Sequence, residues 1–220
     1  MKYVAQFMKK GRIVHISHLD LQRLFLRVFR MSGILPAYSG GFNPHPKLSL
    51  VLPLSTGFAS DCEYLEVETT EPIGELDAAT ERVRSNLPAG VTLLRMDERE
   101  RRFPEFAGYK SLASRVRSAE YAVYSPSFPD LRESVSAYLR RTEILVEKAD
   151  GKPPADIRPR IRSFECTRVF NRSALSRCTL AAGGGANLNP LVLMSSFYDF
   201  CGHSLDVSDV EVARKNIFFE

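Results

Sequence analysis

Along the first half of this chain a two-residue alternation of apolar and polar side chains gives way to a helical period, returns for two stretches, and then repeats. Tyr3 to Lys9 alternates, Ser17 to Gly33 carries apolar residues at helical spacing, and Leu48 to Leu54 and Glu63 to Thr69 alternate again. Leu76 to Leu87 is then helical and Val91 to Met96 alternates. A strand pattern cannot sit on a helix, because its apolar set would spread around the cylinder, so the order is read as βαββαβ.

That order is the ferredoxin-like one, in which two helices cover one face of an antiparallel sheet. The second half follows suit, with strands at Ala119 to Tyr124 and Glu143 to Lys148 and a helix at Phe128 to Arg140. Strands at Ile157 to Thr167 and Ser176 to Ala182, a helix at Pro190 to Phe200 and a strand at Val210 to Phe218 complete it. Lys110 to Arg117 fits neither period. Asp97 to Arg102 is charged at every position and precedes Phe103-Pro104, a composition suited to a linker or boundary. The expectation is an α+β protein of two ferredoxin-like units in tandem, residues 1–104 and 105–220.

With 44% hydrophobic and 25% charged residues over 220 positions, the chain can bury one large core or two small ones. Its longest apolar runs, such as Leu191 to Met194, fall far short of the roughly 20 residues that span a bilayer. The N-terminus lacks the cleavage pattern of a signal peptide, so a cytoplasmic location without membrane partners is expected. Cys62, Cys166, Cys178 and Cys201 form no CxxC pair and no iron–sulfur run. His15 and His18 lack a carboxylate or thiolate at ligand spacing, so neither a metal nor a cofactor of its own is expected.

On the helix expected from Ser17, Leu21, Leu24, Phe25, Val28, Phe29 and Met31 share one face, and Arg23, Arg27 and Arg30 the opposite one. Ser17 and Asp20 have near capping-box spacing, and Asp20 suits the positive end of the helix dipole. His18 projects toward the apolar side, as a half-buried hydrogen-bonded residue, while His15 is freer to act. Guanidinium groups without interleaved acids suit phosphate or carboxylate, which they bind bidentately. After the helix comes Ser39-Gly40-Gly41-Phe42-Asn43-Pro44-His45-Pro46-Lys47. The prolines stiffen the chain around His45 and present Asn43, His45 and Lys47 on a polar loop, whose bland alternative is a tight turn with a satisfied histidine.

The stretch from Arg158 to Arg177 holds six arginines against Glu165. If Ile157 to Phe164 is a strand, Arg158, Arg160 and Arg162 line one face, able to track phosphates or to guard a solvated edge. Gly183-Gly184-Gly185 precedes a helix that Asn189 can cap and Pro190 can open, so free amides there would make an anion site. The Walker pattern is absent.

The block ISHLDLQRLFLRVFRMSGILPAYSGGFNPHPKLSLVLPLSTGFASDCEYLEVE, Ile16 to Glu68, resembles the signature of the radical-SAM-linked bacterial family called domain of unknown function 2344. Asp156-Ile157-Arg158-Pro159 and the glycine-rich stretch are similar to its later part, so the resemblance covers nearly the whole chain. It implies a protein standing beside, or fused behind, a cobalamin-binding radical SAM protein, with a ribonuclease of the E/G type as a genomic neighbour. A looser likeness, of architecture alone, is to RNA-processing proteins of CRISPR systems.

The resulting expectation is an accessory module that presents RNA or another anionic substrate to a radical SAM partner. Arg23, Arg27, Arg30, Asn43, His45, Lys47, Arg158, Arg160, Arg162 and the three glycines would bind substrate, with Tyr38 and Phe42 stacking on bases. Two alternatives stand beside it, a metal-independent RNA-processing enzyme using His15 or His45 as acid or base, and a protein-docking scaffold.

Overall fold

The computed structural model describes residues 1–147, 153–185 and 187–220. They form a mixed α+β structure that separates into two compact units, Met1–Val116 with Phe219–Glu220, and Arg117–Phe218.

In the first unit, strand β1 (Lys2–Lys9) leads into helix α1 (His18–Met31). Ser17 caps α1, its hydroxyl accepting from the Asp20 amide at 3.1 Å and donating to the Asp20 carboxylate at 2.7 Å. Gly33 ends it at φ 76°, a left-handed conformation that glycine adopts without a Cβ clash. Strands β2 (Leu48–Leu50) and β3 (Ala59–Glu68), helix α2 (Leu76–Asn86) and strand β4 (Val91–Glu98) follow. The strand order is β4-β1-β3, with β2 paired to β3, and every pair is antiparallel. Tyr3, Ala5 and Phe7 of β1 join Leu65 and Val67 of β3 beneath Phe25, Val28 and Phe29 of α1. The Phe7 and Phe25 rings lie 4.7 Å apart. Each such aromatic or aliphatic side chain contributes about 1.5–3 kcal/mol by leaving water, which is why α1 is held so firmly. Met31 departs from the expected apolar face: at the last turn of α1 it is 61% exposed.

The charged run after β4 is not an exposed linker. It finishes β4 and forms helix α3 (Arg99–Arg102), where Arg99 is 3% exposed and its guanidinium reaches the Glu66 carboxylate at 3.5 Å and the Tyr109 carbonyl at 2.8 Å. The other Glu66 oxygen accepts from the Leu112 amide at 2.8 Å. Residues Leu112–Arg115, ambiguous by pattern, make a 3-10 turn. Phe219 packs back onto Tyr64, Phe103 and Phe106.

The second unit contains strand β5 (Val116–Pro126), helix α4 (Leu131–Leu139), the short hairpin β6 (Leu145–Val146) and β7 (Ala155–Asp156), strands β8 (Ile161–Val169) and β9 (Ser173–Ala181), helix α5 (Pro190–Phe200) and strand β10 (Glu211–Phe219). Its strand order is β10-β5-β9-β8. Phe197 of α5 packs edge-on against Phe164 and Tyr138. Helix α4 starts later than its periodicity predicts because Pro129 is followed by Asp130 at φ 58°. Lys148, the expected end of a strand, lies outside the described residues.

The arginine-bearing strand expected from Ile157 is also corrected. Arg158–Arg160 is a 3-10 turn and β8 begins at Ile161. The Asp156 carboxylate accepts from the Ile144 and Arg158 amides, both at 2.9 Å, and bends the chain there. Those two amides also hold the Asp156 carboxyl below its ordinary range. The three arginines therefore do not share a strand face.

Candidate functional site

The candidate residues of the first unit lie on α1 and the loop that follows it. Arg23, Arg27 and Arg30 all lie on the exposed side of α1 because the opposite side is filled by Leu21, Phe25, Val28 and Phe29. Arg23 pairs with Asp20 at 3.0 Å, and the Ser17 hydroxyl first, then Arg23, lowers the Asp20 pKa. Arg30 donates to the Tyr38 hydroxyl, tying the helix to the loop. The Arg27 side chain has no hydrogen bond or ion pair among the described residues.

The loop is closed by backbone bonds. The Ser39 amide donates to the His45 carbonyl at 2.8 Å and the Lys47 amide to the Ala37 carbonyl at 2.7 Å, with a bridge between Tyr38 and Pro46. The Ser39 hydroxyl accepts from the His45 amide at 2.9 Å. At the base, Glu68 of β3 donates its amide to the Lys47 carbonyl, accepts from the Ala37 amide, and binds the Lys47 ammonium at 2.7 Å. That pair lowers the Glu68 pKa and assigns Lys47 to the loop's foundation. Asn43, Pro44 and His45 stay exposed at the tip. Phe42 is exposed to 112% of its reference area, whereas Tyr38, at 43%, lies partly against the protein.

His15 is exposed at the end of a 3-10 turn (Gly11–His15). His18 is half-buried as expected, but it is not the hydrogen-bonded lock expected of it: its Nδ1 is buried without a partner among the described residues, and the burial lowers its pKa. Among the described residues no three His, Cys, Asp or Glu side chains converge as a metal site would require. All four cysteines are free thiols.

The second basic, glycine-rich region is differently disposed. Gly183, Gly184 and Gly185 hold φ values of 77°, 52° and 83°, a left-handed succession that side-chain-bearing residues adopt only under strain. The Gly183 amide, expected to face an anion, is instead taken by the Asn187 Oδ1 at 2.7 Å. Ala186 lies outside the described residues. Asn189 caps α5 through the Leu191 amide at 2.9 Å, as its position before Pro190 predicts. Arg158 donates to the Leu139 carbonyl at 3.1 Å and Arg160 to the Asn187 carbonyl at 3.4 Å, while Arg162 remains exposed.

Beside α5 runs a cleft of ≈ 670 Å³ lined by Arg141, Leu145, Val192, Ser195, Asp199 and Phe200. Sequence reasoning missed it, because its walls come from a two-residue hairpin strand and from a helix whose pattern is apolar on nearly every side. It also missed the buried Glu66–Arg99 pair, whose only signal is a glutamate placed amid apolar residues in Tyr64-Leu65-Glu66-Val67.

With this geometry in view, the class is that of an α+β protein with a capped arginine helix and a proline-stiffened loop. The model of the family described as an uncharacterized protein conserved in bacteria, domain of unknown function 2344, matches residues 2–190, and the chain belongs to that family. No curated protein matches it. Among solved structures, a chain of "Crystal Structure of a Cbf5-Nop10-Gar1 Complex" is similar with a TM-score of 0.53 and 9% identity, a likeness of fold alone. The match covers 98% of this chain and 48% of that one, so the present chain spans about half its length. No helix among the described residues is long and apolar enough to cross a membrane.

Proposed function

We propose that this protein is an accessory substrate-binding module that holds RNA for a radical SAM enzyme in RNA modification or processing. We read its two units as a ferredoxin-like tandem, a reading supported by the repeated βαββαβ order and by strand orders in which the first strand sits between the last and the third. The observation that carries the RNA reading is the exposed arginine face of α1 leading directly to a closed loop that throws Phe42 into solvent. Guanidinium groups favour phosphates, and among the described residues Arg27 and Arg30 have no carboxylate partner; exposed aromatic rings favour bases. The radical SAM partner follows from the family resemblance, and its docking would suit the partly apolar cleft beside α5. That cleft also favours the second reading, a protein-docking scaffold.

Labelled total RNA incubated with the purified protein, with and without the partner, tests the proposal. The expected result is retention of intact RNA by the protein alone and chemical change only with the partner. Cleavage by the protein alone, abolished in His45→Ala or His15→Gln with binding intact, would transfer the reading to the enzyme alternative. Failure to retain RNA would transfer it to the scaffold.

A further inference from the structure

The two aromatic residues of the loop are not equivalent. Tyr38, 43% exposed, is held by the Arg30 guanidinium on its hydroxyl and by its backbone bridge to Pro46. Phe42 has neither a ring contact nor cover among the described residues, although Ser39, His45, Ala37 and Lys47 close the chain around it by hydrogen bonds. Gly41, at φ 103°, supplies the backbone turn that lifts Phe42 off the protein. A lone apolar ring on a closed loop keeps an unfavourable interface with water, which a ligand with its own π-face would remove.

Resting on the RNA reading above, we propose that the loop selects single-stranded RNA, one unpaired base stacking on Phe42 while the adjoining phosphates lie along Arg27 and Arg30. The A-form duplex keeps its base faces inside the stack and offers only phosphates and groove edges, so it could meet the arginines but not the ring. An unpaired strand offers both. Stacking on an aromatic ring is tolerant of base identity because every base has a π-face, so a preference for strandedness is expected over one for sequence.

The test uses the full chain and two probes, fluorescein-labelled oligouridylate and the same strand annealed to oligoadenylate, titrated at low salt. Wild type is expected to bind the single strand more tightly than the duplex. Phe42→Ala is expected to weaken single-strand binding by about 5- to 140-fold, the range measured for loss of one base–aromatic stack, and to leave duplex binding nearly unchanged. Phe42→Trp, which keeps a π-face, should restore it, and unchanged thermal unfolding of both variants will show that the fold is intact. Equal binding of both probes by wild type and Phe42→Ala would overturn the single-strand inference while leaving phosphate binding standing. Absence of binding to either probe would overturn the RNA reading itself, and this inference with it.

Discussion

The arginine face of α1 and the turn around Arg158 and Gly183 look alike in composition, each basic and each with glycines close by, yet their guanidinium groups differ in what they bind: side chains on α1, backbone carbonyls around Arg158. On α1 the guanidinium groups point to solvent, and the contacts of Arg23 and Arg30 are themselves exposed. In the second region Arg158, Arg160 and the Gly183 amide are committed to the carbonyls of Leu139 and Asn187 and the side chain of Asn187. Basic composition therefore does not define a ligand surface. What separates the two is whether the chain nearby has unsatisfied carbonyls, which irregular turns have and a helix flank lacks.

Substitutions that lower stability in one class and binding in the other sharpen that contrast. One buried, committed arginine is Arg99. Arg99→Ala leaves Glu66 buried without its cation and is expected to cost about 3–5 kcal/mol, read by urea unfolding. Burial chiefly holds the Glu66 carboxyl above its ordinary pKa, outweighing the opposing Leu112 amide and Arg99. The folded chain thus binds that proton more tightly than the unfolded chain. Stability should then fall as pH rises from the ordinary glutamate range through the folded value and level off above it, a slope that Glu66→Gln removes.

Smaller losses are expected in the second unit. Arg158→Ala and Asn187→Ala should each lower stability by about 1 kcal/mol, the net worth of a hydrogen bond, and Gly184→Ala by about 1–2 kcal/mol from left-handed strain. Arg27→Ala, at the other extreme, should leave stability within about 0.5 kcal/mol because the side chain lies on the surface without a hydrogen-bond or ion-pair partner among the described residues. A thermal shift series across these variants checks the order, and a destabilised Arg27→Ala would break the comparison.

Element order was legible because period-two and period-3.6 patterns each reflect which face is buried. Helix α5 with its Asn189 cap and Pro190 start was readable to the residue, since capping chemistry is local. The Arg158 segment was misread because alternation alone cannot reveal that Asp156, through two backbone amides, bends the chain. The run from Asp97 to Arg102 misled for a related reason, as a buried ion pair depends on Glu66, a partner more than thirty residues away. In the candidate site, the loop and the arginine face were visible as motifs. That Lys47 braces Glu68 and that Phe42 rather than Tyr38 stands free depended on tertiary pairing with β3.

The most direct test of a phosphate-binding α1 face is the salt dependence of RNA affinity, because each phosphate contact releases counterions and lowers the slope of log K against log salt by about 0.7 for a single strand. Wild type should show a clearly negative slope. Arg23→Ala, Arg27→Ala and Arg30→Ala combined should flatten it by about 2, while Arg158→Ala with Arg160→Ala leaves it unchanged. An unaltered slope in the α1 triple variant, or flattening confined to the Arg158 and Arg160 pair, would contradict the account.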